Sequence, residues 1–141
     1  MFKLLKKYIN INNNINETEP VTVISKGMKI AADLLSGDGI VRIEGEYHGE
    51  IYMDGELFVE KSGYVNGNIN VRIAYISGSV TGNIKCSDLL HVTSTGKING
   101  DIECEAILMD EGAVFIGYSR MSEKMNGKMN EKNPDPLGFG E

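Results

Sequence analysis

Between Gly45 and Ile102 the chain repeats one alternation of apolar and small polar residues four times. The copies are Gly45-Glu46-Tyr47-His48-Gly49-Glu50-Ile51, Gly63-Tyr64-Val65-Asn66-Gly67-Asn68-Ile69, Gly78-Ser79-Val80-Thr81-Gly82-Asn83-Ile84 and Gly96-Lys97-Ile98-Asn99-Gly100-Asp101-Ile102. A degenerate fifth, Gly112-Ala113-Val114-Phe115-Ile116-Gly117, carries one extra residue between its glycines. The leading glycines are 18, 15, 18 and 16 residues apart. Within each copy the local period is two, which predicts a strand. A longer rhythm lies beneath. Val41, Tyr47, Met53, Val59, Val65 and Val71 are apolar at every sixth position, and Val80, Cys86, Val92, Ile98 and Cys104 resume the series after the 15-residue interval. Three such steps describe a coil with three short sides, each turning one residue of the series inward.

A lone coil cannot bury its apolar side chains, whereas coils stacked at about 4.8 Å form continuous parallel sheets around a filled core. Like positions then line up as ladders, with Ile51, Ile69, Ile84 and Ile102 in one and Met53, Val71, Cys86 and Cys104 in another. The predicted fold is all-β: a single-domain parallel β-helix of triangular cross-section. Residues 27–118 supply about six coils, the first irregular from Gly27 to about Gly39. The leading glycine of each copy follows turn-type residues, so it is expected where the chain bends into a conformation that glycine adopts cheaply. The chain divides into an N-terminal segment and tether at 1–16, the β-helix at 17–121 and a tail at 122–141 that is disordered in composition.

Charge sharpens this division. Residues 1–16 carry three lysines and no acid, while 17–118 hold 7 basic and 16 acidic side chains, a net −9. An acidic body argues against nucleic acid, whose phosphates call for clustered Lys or Arg. No apolar run approaches the roughly 20 residues that span a bilayer, and lysines interrupt the N-terminus where a secretory signal would be apolar. A cytoplasmic location is expected.

The ordered series of motifs from Gly27 to Met121 resembles the bactofilin domain. Its markers are Ile40-Val41-Arg42-Ile43-Glu44-Gly45, the recurring Val/Ile-x-Gly-x-Ile, and the closing Glu111-Gly112-Ala113-Val114-Phe115-Ile116-Gly117. The chain departs from the family's pattern at Ala31-Ala32, where a Gly is frequent, and at the bulkier Tyr47-His48. The resemblance implies a right-handed three-sided β-helix and assembly without nucleotide into filaments lacking overall polarity. It also implies a scaffolding role in cell shape, wall synthesis, polar positioning or motility.

Monomeric solenoids carry a polar cap or a helix over each end, and none is legible here. Uncapped terminal coils offer unpaired backbone groups and an apolar cross-section, so the polymer contact is expected at Ile30, Val114, Phe115 and Ile116, with Phe115 foremost. The alternative for Phe115 is an internal plug on its own rod. On a helical wheel Met1, Phe2, Leu4, Leu5, Tyr8 and Ile9 fall opposite Lys3, Lys6 and Lys7. That pattern suits an in-plane membrane helix on anionic lipid, with Met1, Phe2, Lys3, Leu4, Leu5, Lys6 and Lys7 as the binding residues. It also resembles the Met-Phe-plus-lysine start of many bactofilins. A tip whose charges merely aid solubility is the bland alternative.

No enzymatic chemistry stands out. His48 and His91 have no Cys or His at metal spacing, so neither metal nor cofactor is expected. Cys86 and Cys104 each follow a motif glycine by four residues and belong to a reduced core ladder. The phosphate-binding Gly-x-x-x-x-Gly-Lys-Ser/Thr is absent, which excludes that nucleotide site. Asn68, Asn83 and Asp101 read as turn or outward positions. The rival from another class is a hexapeptide-repeat acyltransferase on a left-handed β-helix, whose catalytic His could only be His48 or His91. Its strict six-residue register is broken here by the 15-residue interval. An inert coat protein would share the polymer but not the membrane tip.

Overall fold

The computed structural model describes residues 21–121, which form an 11-stranded parallel sheet wound into a solenoid without a helix among them. Two strands, Lys29–Ile43 and Glu46–Val59, each run around two corners without interruption, while the later coils are cut into shorter pieces. Pairing resolves them into three ladders of six rungs. The first side stacks 21–24, 40–43, 56–59, 73–76, 89–92 and 106–109. The second stacks 29–31, 46–48, 64–66, 79–81, 97–99 and 114–116. The third stacks 35–37, 51–53, 69–71, 84–86, 102–104 and 119–121.

The six-spaced series points inward throughout: Val41, Tyr47, Met53, Val59, Val65, Val71, Val80, Cys86, Val92, Ile98 and Cys104 are all buried. The isoleucine ladder pairs directly, Ile51 with Ile69, Ile69 with Ile84 and Ile84 with Ile102. Cys86 lies beside Cys104 as expected, and both are free thiols. Hydrogen bonding to Cys104 and then burial push the Cys86 thiol well above its ordinary range, which keeps it unreactive at neutral pH.

Four details differ from the expectation. The first coil starts at Val21, because Val21–Ile24 pairs with 40–43 as a full rung and is no mere lead-in. The first side turns two side chains inward per coil where the six-spaced series marks one, while the third side's two inward rows are the two ladders expected. On the first side these are Val41 and Ile43, Leu57 and Val59, Ala74 and Ile76, then Leu90 and Val92. The 15-residue interval is absorbed at two corners: the turn after Ile76 holds only Ser77-Gly78 where its neighbours hold four residues, and Val71 steps to Ile73 one residue sooner than Cys86 steps to Leu89. The rungs stay in register because the turns take up the deletion.

The glycines divide their labour otherwise than expected. Positive φ belongs to the second glycine of each copy, such as Gly82 at 142° and Gly100 at 153°. A Cβ on Gly82 would collide with the Gly67 carbonyl, so one coil's backbone lies directly on the next. The leading glycines of the four regular copies lack this conformation. Gly63, for example, is required by the carbonyl of Ile43 in the coil below, so it serves close approach and not a bend. Beside this corner runs a side-chain ladder: Asn68 Oδ1 accepts from the Asn83 amide at 3.0 Å and Asn83 Oδ1 from the Asp101 amide at 3.0 Å. Asp101 Oδ1 accepts from the Tyr118 amide at 3.2 Å. These residues are exposed turn positions, and each side chain satisfies a backbone donor of the next coil.

Candidate polymer interface

The inward row of the second side runs Ile30, Tyr47, Val65, Val80, Ile98 and Phe115. Its four middle members are at most 1% exposed. Its two ends are not: Ile30 is 37% exposed, and Phe115 is half-buried, packed on the core from below. Each terminal rung has a neighbouring coil on one side only, so half its contact surface and one row of backbone groups face outward. Phe115 therefore plugs its own core and still presents part of its ring, and the two readings of it describe one placement. Val114 and Ile116 alternate with it, pair with Lys97 and Asn99, and are 42% and 60% exposed.

The structure widens this set. The last coil also exposes Met109, Leu108, Tyr118 and Met121, and the first exposes Met28 and Leu34. Sequence reasoning passed over them because no repeat marks a terminal rung as terminal. Both ends are apolar cross-sections of the same core, and among the described residues no helix covers either. The site resembles a domain core cut across and left open.

Tyr47 shows how the solenoid tolerates a polar atom inside. The residue is 1% exposed, and its hydroxyl donates to the Glu50 carbonyl at 2.9 Å. Burial, aided by the charges of Asp33 and Glu50, raises its pKa above the ordinary phenol value. His48 and His91 lie on different sides, three coils apart. His48 Nε2 sits 3.4 Å from Glu46 Oε1, and His91 Nε2 is 3.0 Å from Asp110 Oδ1. Each histidine thus has a carboxylate neighbour of its own on the surface, and the fold does not bring the two together. The expected membrane residues Met1, Phe2, Lys3, Leu4, Leu5, Lys6 and Lys7 lie outside the described residues, as does the tail at 122–141.

Comparison with known proteins agrees with this geometry. The family model for bactofilin, described as polymer-forming cytoskeletal, matches residues 22–120. Bactofilin BacO of Myxococcus xanthus is 37% identical over 103 residues, covering 73% of this chain and 81% of that protein. Bactofilin BacP of the same organism is 30% identical over 128 residues, 91% of this chain. The chain spans about half, 51%, of BacP's length. Among solved structures, the cryo-EM reconstruction of Thermus thermophilus bactofilin double helical filaments superposes with a TM-score of 0.66 at 25% identity, covering 72% of this chain and 99% of that one. A parallel solenoid of six coils over residues 21–121, matched from 22 to 120 by that family model, belongs to the bactofilins, the polymer-forming cytoskeletal proteins.

Proposed function

We propose that the chain assembles end to end through its terminal coils, without nucleotide, into filaments lacking overall polarity that lie on the inner face of the cell membrane. There it serves as a scaffold that positions cell-envelope, morphogenesis or motility machinery. The observation that carries this reading is the inward row from Ile30 to Phe115, which is sealed in the middle and open at both ends. Covering those ends with a second copy removes apolar surface from water at about 25 cal/mol per Å² and pairs the free strand edges.

Attachment to anionic lipid is assigned to residues 1–7, where an apolar face opposes three lysines. One such segment binds weakly, and a filament presenting many gains by avidity. The family is the polymer-forming cytoskeletal one, which favours this role over the acyltransferase alternative.

The test is Phe115→Arg, examined by negative-stain electron microscopy without added nucleotide. Filaments a few nanometres wide are expected from the parent chain, and a folded monomer from the variant, because the interface would bury an unpaired charge. Filaments from the variant would remove Phe115 from any required interface.

A further inference from the structure

The first side is largely apolar on both faces, its outer rows interrupted at Arg42, Glu56 and His91. Its inward rows fill the core, while alternate residues on the same strands point away from the axis: Ile40, Phe58, Ile73, Tyr75 and Leu89. Phe58 and Tyr75 stack with ring centroids 4.7 Å apart and planes 14° from parallel. Phe58 and Ile40 are only 6% and 7% exposed and form a cluster separate from the core, with Val21 and Tyr75 packed against it. Sheets covered on both faces have near-continuous apolar strands, and sheets wetted on one face alternate. Ile73-Ala74-Tyr75-Ile76 is of the first kind, whereas Ser79-Val80-Thr81 on the second side is of the second.

We infer that this outer face seats the chain's own N-terminal segment, residues 1–16. Three observations select that occupant. First, the 20 residues preceding the described chain join it at Val21, whose side chain already belongs to the outward cluster at the head of this stripe. The stripe is most buried in the second and third coils, at Ile40 and Phe58, and opens at both ends, where Val23 is 42% and Leu108 50% exposed. Second, the reach suffices: six coils span about 24 Å, and 20 residues extend up to about 66 Å. Third, the chemistry is complementary. The segment offers Phe2, Leu4, Leu5, Tyr8 and Ile9 beside three lysines. Carboxylates border the stripe on both edges, with Glu44, Glu60 and Asp110 along one and Asp54 and Asp88 along the other, and Glu56 lies within it between Ile40 and Ile73. Lys26, Lys61 and Arg42 lie beside Glu44 and Glu60, and His91 beside Asp110, so the surplus of acid is along the other edge, where Arg72 faces Asp54 and Asp88 with Glu56 nearby.

Tethering holds the segment near its seat at a millimolar effective concentration. The inference stands apart from the membrane reading, and where lipid is present the two surfaces compete for the same apolar residues.

The experiment places the photo-crosslinker benzoylphenylalanine at Phe2 or at Leu5 of the full chain, without lipid, and maps the adducts by fragmentation mass spectrometry. Adducts at monomer mass on Phe58, Ile73, Tyr75 or Leu89 should exceed those on the second and third sides by about ten-fold, as a tethered seat requires. They should be lost in Tyr75→Glu, with folding checked by circular dichroism. Leu4→Asp with the probe at Phe2 gives the same loss without touching the rod. Adducts spread evenly over the three sides, adducts at dimer mass, or adducts insensitive to both substitutions would overturn the proposal.

Discussion

On the second side each short strand sets one buried residue between two more exposed ones, as in Lys97-Ile98-Asn99, and a single inward row suffices to fill that edge of the core. The first side carries two inward rows and, on its outer face, the stacked pair Phe58 and Tyr75 continued by His91 at 5.9 Å from Tyr75. Both sides are parallel and six rungs high, but each rung of the first side pairs four residues and each rung of the second side three. The fourth residue gives the first side its second inward row, and the side chains set the character of the outer faces. The second side is wetted outside and needs only to close the core. The first side is a two-faced layer, and a two-faced layer asks for something on its outer face.

The comparison can be broken most severely at the corner that the second and third sides share. Gly82→Ala adds a Cβ against the Gly67 carbonyl at a positive φ, and should cost about 4 kcal/mol or prevent folding. Urea unfolding at fixed protein concentration measures it, since assembly adds concentration-dependent stability. A loss below about 1 kcal/mol would show that the glycine column can spread apart.

Next comes the inward row of the first side. Leu90 is fully buried, so Leu90→Ala should cost about 3 kcal/mol by the same urea measurement, combining lost transfer free energy with a cavity.

The outward row sharpens the comparison most. Phe58→Ala should cost about 2 kcal/mol, because Phe58 is 6% exposed and stacked on Tyr75. Lys97→Ala, outward on the second side, should stay within about 0.5 kcal/mol. Equal values for the two would mean that both outer faces are merely solvent surfaces.

The smallest effect lies on the third side. Arg120 donates to Glu103 Oε1 at 2.8 Å, and this hydrogen bond holds the Glu103 carboxyl below the usual range. A carboxyl whose folded pKa is depressed stabilises the fold above its unfolded pKa, about 4.3, and loses that contribution as the pH falls through the folded value. Arg120 is 73% exposed, so solvent screening limits the contribution to a few tenths of a kcal/mol. The parent chain should therefore melt slightly above Arg120→Ala at pH 7, and the gap should close on acidification toward pH 3. A gap that persisted at pH 3 would assign the effect to packing of the Arg120 stem.

Much of the rod is legible in the order of its residues. The six-spaced series stands out because a three-sided coil returns each side to the core at a fixed interval, and all eleven of its members are buried. The isoleucine ladder is legible for the same reason. Ile43 and Ile76, which stack in the row of Val59 and Val92, and Leu57 and Leu90, in the row of Val41, escape notice, because in a continuous apolar run such as Leu89-Leu90-His91-Val92 alternation no longer says which residues face in. That ambiguity also hides the outward cluster of Ile40 and Phe58. At the two terminal coils, Phe115 and Ile30 are legible as the last and first of a series. Met109 and Met121 are not, because their exposure comes from lacking a next coil and not from any local pattern.

By itself the sequence determined the repeat, the three-sided stack, the side chains that rise as ladders and the family. The first three follow from period, which is a property of near neighbours along the chain, and the family is read from the resemblance of the ordered motifs. Tertiary structure decided the phase: which face of the first side turns outward, which glycine needs positive φ and which a close carbonyl, and where the 15-residue interval loses its residues. Phase is set at the corners, where one residue more or fewer rotates everything after it. Only contact with the coil below fixes how each corner is taken.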